Sequence, residues 1–259
     1  KKEHFKRFKE KFCFFSHKKK QKKLIWFHGA SVGELLSVIP LIKELEKDKK
    51  INQILVTTTT LSSSKVFNNF KFKKTIHQFF PIDTNFHSKK FLNYWKPSLA
   101  IFIDSEIWPN MLLNIKKKSI PALLLNARIT KKSFNRWKFF KSFSSELFKC
   151  FTKSYPCNNE TWRYLNYFGI KKKRFLGNLK FSQNNLKNLI IPTKLKKFIS
   201  NKNFWCATST HESEEVLCSE VHKNLKKKYT KFLTIIIPRH IHRCEGLINF
   251  FENSGLKVH

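Results

Sequence analysis

The stretch that decides the fold is His28-Gly29-Ala30-Ser31-Val32-Gly33-Glu34. It follows the apolar run 24–27 and precedes an amphipathic stretch over 32–46, an order that predicts a strand, a tight turn and a helix. The two glycines let the backbone turn sharply and approach a ligand, while a helix that begins here directs free N–H groups toward it. Glu34 therefore stands at the mouth of a cleft, either as a ligand-facing carboxylate or as one that only stabilises the helix start.

Working outward from this turn, short apolar runs alternate with amphipathic stretches. Such alternation predicts an α/β fold, in which a mostly parallel sheet carries helices on both faces. Strands are predicted at 24–27, 53–58, 76–80, 99–103, 122–125 and 174–176, and helices at 32–46, 62–70, 86–94, 108–117, 131–151 and 159–168.

A polar stretch broken by Pro192 separates this unit from a second alternation. Strands are predicted there at 204–207, at 232–238 and from 256, with helices at 213–228 and 244–253. An α/β sheet normally needs more strands than this to pack against helices on both faces, so we expect the natural protein to continue beyond His259. The first residue is not Met, so we expect it to be longer at the amino terminus as well. The predicted divisions are a basic segment 1–23, a Rossmann-like domain 24–185, a linker 186–203 and the start of a second domain 204–259.

The chain of 259 residues is strongly basic, with 52 Lys and Arg against 17 Asp and Glu. A net charge of +35 favours an anionic partner such as a membrane surface, a nucleic acid or a phosphorylated substrate, although the lysines are spread along the whole chain. The six cysteines are scattered with no CxxC pair, which indicates a reducing, cytoplasmic setting. No apolar run approaches the roughly 20 residues that span a bilayer.

The first 23 residues combine eleven Lys and Arg with phenylalanines at helical spacing. Phe5, Phe8, Phe12 and Phe15 would share one face of a helix and leave a basic face opposite. Two interpretations stay open. The helix either lies on an anionic membrane surface or packs its aromatic stripe on the domain.

Polar motifs follow the predicted strands, where an open α/β sheet places its ligands. The motifs are Phe80-Pro81-Ile82-Asp83, Asp104-Ser105-Glu106-Ile107-Trp108-Pro109-Asn110, Asn126-Ala127-Arg128, Gly177-Asn178-Leu179-Lys180-Phe181, residues 207–215 and Ile237-Pro238-Arg239-His240. Taken in order with residues 28–34, they closely resemble the 3-deoxy-D-manno-octulosonic acid (Kdo) transferases, from about residue 22 to the end. The resemblance implies a two-domain glycosyltransferase of GT-B type at the cytoplasmic face of the inner membrane. It implies transfer of Kdo from CMP-Kdo to an anionic lipid A precursor during lipopolysaccharide assembly.

The resemblance also implies roles for single residues. Glu34 matches the family's proton acceptor, which suits attack by a sugar hydroxyl with inversion at the anomeric carbon. Asp104 and Lys180 match the acid and the lysine that stabilise the transition state, and Pro238 and Arg239 match a contact to CMP. Further candidates for binding donor or acceptor are Ser31, Gly33, Glu106, Asn126, Arg128, Ser209 and His211.

The chain departs from the family pattern at several positions. Asp104 replaces the usual Glu, Ser213 replaces a Gly, and Ser182 replaces an Asp. The family's later Gly-Gly-His-Asn and Glu-Pro region has no counterpart before His259. We therefore expect residues 1–259 alone to hold an incomplete donor site and to transfer Kdo poorly.

Two further motifs suggest metal binding, and one alternative to an enzyme stays open. Asp104-Ser105-Glu106 imitates the DxD motif that holds a divalent cation, but the resembled family does not use one, so neither metal nor cofactor is expected. His240 and His242 lack a second ligand pair at zinc spacing and are interpreted as loop histidines. The remaining alternative is a non-catalytic basic membrane- or RNA-binding protein that retains the α/β scaffold. Because no RNP, KH or zinc-finger pattern occurs, nucleic acid is not expected as a partner.

Overall fold

The computed structural model describes Phe5 and residues 7–20, 23–179 and 192–259. The chain forms two compact units, Lys1–Leu186 and Lys187–His259. Within the described ranges, we find no helix with both the length and the apolar character needed to cross a bilayer.

The first unit is built on a six-stranded, all-parallel sheet with the order β3-β2-β1-β4-β5-β6. Its strands are β1 (Leu24–His28), β2 (Gln53–Thr58), β3 (Thr75–Phe79), β4 (Leu99–Ile103), β5 (Ala122–Ala127) and β6 (Lys153–Pro156). The helices are α1 (Val32–Lys47), α2 (Leu61–Phe67), α3 (Asn85–Trp95), α4 (Pro109–Lys117), α5 (Lys131–Phe139), α6 (Lys141–Phe148) and α7 (Asn159–Tyr167).

Apolar side chains cover both faces of this sheet. Successive residues of a strand point to opposite faces, so Trp26 joins one core cluster with Phe102, while Phe27 joins another with Ile101. Burial on both faces explains why the central strands have continuous apolar sequences. The chain order reverses between β1 and β4, and the carboxyl edge at such a reversal is where open parallel sheets bind ligands.

The amino-terminal segment contains a short 3₁₀ helix, Phe8–Phe12, and not the long amphipathic helix that its spacing predicts. The reason is a buried carboxylate on the supposed basic face. Glu10 is 1% exposed, accepts a hydrogen bond from Phe79 N at 2.8 Å, and pairs with Arg7 at 2.7 Å. These bonds fasten the segment to the edge strand β3.

Two further elements of the first unit differ from prediction. The sixth strand is β6 (Lys153–Pro156) and not 174–176. Just before that stretch, Lys173 forms an isolated parallel bridge to Ser154. The sequence of β6 is half polar, which an edge strand tolerates. A pattern of apolar runs therefore does not predict it. The single helix predicted over 131–151 is broken at Phe140, whose φ of −112° and ψ of 53° separate α5 from α6.

The second unit contains a parallel pair of strands, β7 (Asn203–Thr210) and β8 (Phe232–Pro238). Three helices accompany them: α8 (Thr193–Ile199), α9 (Glu214–Lys228) and α10 (Cys244–Asn253). Helix α8 lies inside the stretch predicted as a linker, and residues 256–259 form no strand. The helix follows from local composition, because 193–199 has an apolar and basic pattern without a helix breaker.

Candidate active site

The turn after β1 places Glu34 in the first turn of α1. Ser31 caps the helix, accepting a hydrogen bond from Glu34 N, and the Glu34 carboxylate accepts bonds from Ala30 N at 2.6 Å and from Ser31 Oγ at 2.8 Å. A Cβ added at Gly29 would lie 3.1 Å from Glu34 Cβ. A side chain at residue 29 would crowd both Glu34 and Ile103, so glycine lets the carboxylate keep this place without a shift.

The expectation that Gly33 is needed for the turn is wrong. Gly33 lies inside the first turn of α1 without a positive φ, and a Cβ added there would meet no atom within 4 Å. Gly33 is exposed near the start of the helix, and its lack of a side chain leaves open space at the position next to Glu34 in the chain.

Partial burial sets the basicity of Glu34. Desolvation raises the pKa of the Glu34 carboxyl above its ordinary value, and the nearby negative charge of Glu106 raises it further. The hydrogen bonds from Ser31 and Ala30 act in the opposite direction. A carboxylate with a raised pKa accepts a proton more readily near neutral pH, as a general base requires.

Glu106 is held by a buried histidine at the end of β1. His28 is fully buried and lies 3.0 Å from Thr57 Oγ1 through Nδ1 and 3.1 Å from Glu106 Oε2 through Nε2. Since a carboxylate only accepts hydrogen bonds, Nε2–H is the donor to Glu106. Trp108 Nε1–H donates to the same oxygen at 2.7 Å. Glu106 therefore has a defined orientation after β4.

Asp104 and Asn126 end the neighbouring strands β4 and β5 in the left-handed backbone region, with φ of 62° and 54°. Asp104 is 6% exposed and accepts a hydrogen bond from Ser105 Oγ at 3.0 Å. The Asn126 side-chain oxygen accepts the Leu179 N–H at 3.0 Å, so it ties the Gly177-Asn178-Leu179 segment to the sheet edge. Left-handed non-glycine residues are strained and cluster at functional sites.

The structure brings together the candidates Ser31, Gly33, Glu34, Asp104, Glu106, Asn126 and Arg128 at the carboxyl edge of β1, β4 and β5. Lys180 lies outside the described residues. In the second unit, Ser209, His211, Pro238 and Arg239 lie at the carboxyl edge of β7 and β8. Arg239 N donates to Thr210 O, and Arg243 forms a two-pronged bond with the buried Glu215, which holds the turn after β8.

Sequence reasoning placed Phe80 and Asp83 in a motif but gave neither a role, and it missed Thr57. Phe80 stacks on the imidazole of His28 with ring centroids 3.8 Å apart. The Asp83 carboxylate accepts hydrogen bonds from Asn110 N and Met111 N, which caps the start of α4 from a distant segment. For Thr57 the available signal was a polar residue within an apolar strand, which indicates a buried hydrogen-bonding role.

Comparison with solved structures identifies the fold class of the chain. A UDP-GlcNAc 2-epimerase from Neisseria meningitidis, bound to UDP-GlcNAc, has the same fold at 17% identity with a TM-score of 0.63, over 92% of this chain and 70% of that one. The corresponding enzyme from Rickettsia bellii gives a TM-score of 0.56 at 16% identity, over 92% and 68%. The expected α/β fold of GT-B type is thereby confirmed.

Sequence comparison then defines the family. The family model described as 3-deoxy-D-manno-octulosonic-acid transferase matches residues 6–183. A curated transferase of that name from Rickettsia bellii is 36% identical over 96% of this chain and 59% of its own length. A probable mitochondrial one from Arabidopsis thaliana is 32% identical over 99% and 59%. The chain belongs to the Kdo transferase family, and it spans little more than half the length of these relatives.

Proposed function

We propose that this protein is an inverting glycosyltransferase that moves Kdo from CMP-Kdo to a lipid A precursor. Family membership supports the transferred sugar, and the residues at the sheet edge support the chemistry. Glu34 removes the proton from the attacking hydroxyl of the acceptor, while Asp104 and Lys180 stabilise the transition state. Arg239, exposed at the end of β8, contacts the phosphate of CMP.

The observation that carries this proposal is the environment of Glu34. Its carboxylate is oriented by two donors, is partly buried, and has a raised pKa caused first by that burial. A helix-stabilising carboxylate needs only the first of these properties. Inversion at the anomeric carbon requires one such base and no covalent intermediate.

Glu34→Gln tests the proposal because it keeps the shape of the side chain and removes its basicity. Transfer of Kdo to the lipid A precursor lipid IVA should fall by about 10²- to 10⁴-fold, with little change in CMP-Kdo binding. The matched control is Glu44→Gln on the same helix, since Glu44 is exposed and pairs only with Lys47 among its described contacts. Near-normal turnover by the Glu34 variant, measured in a protein that includes the segments of the longer relatives not spanned by residues 1–259, contradicts the proposal.

We further propose that the amino-terminal segment contacts the cytoplasmic face of the inner membrane. Phe5, Phe12, Phe14 and Phe86 are 85%, 42%, 60% and 67% exposed, and the Lys90 ammonium lies 5.2 Å from the Phe14 ring centre. Exposed aromatic rings among lysines are typical of proteins that bind anionic lipid surfaces. Cosedimentation with anionic and with neutral vesicles tests this, and equal binding to both contradicts it.

A further inference from the structure

A small pocket lies beside Asp104, between the carboxyl ends of β4 and β5 and helix α5. Its volume is about 200 Å³, and its lining includes Arg128, Arg136 and Trp137. Pockets for whole small molecules usually measure about 300 Å³ or more, so this one suits a single chemical group. Ser133, Arg136 and Trp137 lie three and four residues apart in α5 and therefore share the face turned to the pocket.

The charge of this pocket favours an anion. Among the described residues, neither guanidinium has a hydrogen-bonding or ion-pair partner, whereas the Asp104 carboxylate is already engaged by Ser105. No Asp or Glu occurs in the sequence between Glu106 and Glu146, and residues 129–145 carry five Lys and Arg. Two guanidinium groups without partners among the described residues are well suited to donate paired hydrogen bonds to the oxygens of a phosphate group.

Exposed aromatic residues follow the pocket-lining residues Arg136 and Trp137 directly in the chain, at the end of α5. No residue of α5 is buried, and the rings of Phe139, Phe140 and Phe143 are 84%, 63% and 44% exposed. Ser144 Oγ donates to Trp137 O at 2.7 Å and so fixes the break between α5 and α6 from which these rings project. Exposed contiguous aromatic surface marks an interaction site.

We propose that this element binds a phosphorylated, acylated lipid: Arg128 and Arg136 hold its phosphate in the pocket, and Phe139 and Phe140 contact its acyl chains. The proposal rests on the proposed function, since the lipid is then the acceptor, and its phosphate lies next to Asp104. Arg136 and Phe139 lie on α5, with Arg128 before it and Phe140 at its end, and this placement of arginines beside aromatic rings assigns both halves of the ligand.

Calorimetric titration of the full chain with dihexanoyl phosphatidic acid, a soluble phosphate monoester with two short chains, tests the assignment. Arg136→Gln should weaken binding at least about tenfold, because charged hydrogen bonds are lost. The control Lys138→Gln removes the same charge from the same helix, but Lys138 lies over the Tyr167 ring, so about threefold or less is expected. Equal losses in both variants, or no binding by the wild type, overturn the proposal.

A second pair of variants separates the aromatic contribution. The double substitution Phe139→Ser with Phe140→Ser should weaken the lipid probe about tenfold and leave inorganic phosphate binding unchanged. The control Phe204→Ser, at an exposed ring of the second unit, should change neither. Unchanged lipid binding in the double variant overturns the acyl-chain assignment. Kdo transfer that does not depend on Arg136 refutes the pocket and leaves the proposed enzyme intact, whereas arginine-dependent lipid binding with a Glu34→Gln variant of normal turnover refutes the enzymatic mechanism alone.

Discussion

At the level of single residues, Glu34 is subject to influences of opposite sign. Burial and the charge of Glu106 raise the pKa of its carboxyl, while the Ser31 hydroxyl lowers it by donating a hydrogen bond to the ionised form. Removing the charge of Glu106 and removing the Ser31 hydroxyl should therefore shift the pKa of Glu34 in opposite directions.

We predict that Glu106→Gln lowers the pKa of Glu34 and that Ser31→Ala raises it. The first removes a neighbouring negative charge and retains an amide that can bond to His28, while the second removes a donor to the carboxylate. Titration of the ¹³C-labelled glutamate carboxyls by NMR measures both shifts. In the proposed reaction, the acid limb of the rate profile should move to lower pH in the first variant and to higher pH in the second.

A matched control separates the titration of Glu34 from helix stability. Ser31→Ala also removes the cap of α1 and should destabilise the protein by about 1 kcal/mol. Thr84→Ala removes the cap of α3 at a similar cost and does not contact Glu34. Equal shifts of the Glu34 titration in Ser31→Ala and Thr84→Ala would show that the Ser31 hydroxyl has no specific role.

Sequence identified the candidate residues but not the contacts between them. The position of Glu34 was predictable because its partners Ala30 and Ser31 lie within the same turn. Within one turn, sequence spacing alone determines which residues are in contact. The bond between His28 and Glu106 joins residues of two different strands. Its existence depends on which strands are neighbours, and a pattern of apolar residues does not specify that order.

At the level of elements, the attachment of the amino-terminal segment to β3 depends on a buried polar cluster. Arg7 donates to His77 O at 2.7 Å and lies 3.0 Å from His77 Nδ1, and Thr58 Oγ1 lies 2.9 Å from His77 Nε2. Burial first, and then the positive charges of Arg7 and His17, lower the pKa of His77 to about 3. The ring is therefore neutral in the folded protein at any mildly acidic pH.

We predict that this histidine makes the first unit sensitive to acid. Unfolded His77 takes up a proton below its ordinary pKa of 6.5, whereas folded His77 does so only near 3, so stability falls as pH decreases between these values. The loss should be about 1.4 kcal/mol for each pH unit well below 6.5. Urea unfolding at several pH values should show a shallower decline in His77→Gln.

The comparison of the two proteins at pH 7.5 provides the reference, because His77 is neutral there in both folded and unfolded chains. Any difference at that pH reports lost packing and hydrogen bonds, and only the change in slope reports titration. Parallel stability curves between pH 6 and pH 5 would refute the prediction.

At the level of the whole molecule, the two units differ in how much they bury. Every residue of β1 is buried and β1 lies between β2 and β4, whereas β7 is largely exposed. Among the described residues of the second unit, only Thr210, Glu215, Cys218 and Ser219 are buried. Local stability follows buried contacts, so the two units should open independently and at different free energies.

We predict that backbone amides of β7 and β8 exchange with deuterium at least about a hundredfold faster than those of β1 and β4. Hydrogen exchange followed by mass spectrometry of peptides from each strand measures the ratio. The edge strand β3 of the first unit is a useful reference, because it has a neighbour on one side only within its sheet. Similar protection of β1 and β7 would contradict the prediction.

The overall architecture was predictable for a physical reason. A parallel sheet buried on both faces needs apolar strands separated by helices, and β1, β2, β4 and β5 of the first unit contain such apolar runs. β6 and the break at Phe140 could not be found in this way. The first is half polar, and the second is a backbone conformation adopted by a residue that otherwise suits a helix interior.

The strained backbone at Asn126 has a consequence for any effort to make this protein more heat-resistant. Glycine at this position would relieve a φ of 54°, but it would also remove a buried side chain and its hydrogen bond. The Leu179 N–H would lose its acceptor, and the segment that leads to Lys180 would lose its tie to the sheet edge. A substitution chosen only to relax the backbone would therefore free the segment on which turnover depends in the proposed enzyme.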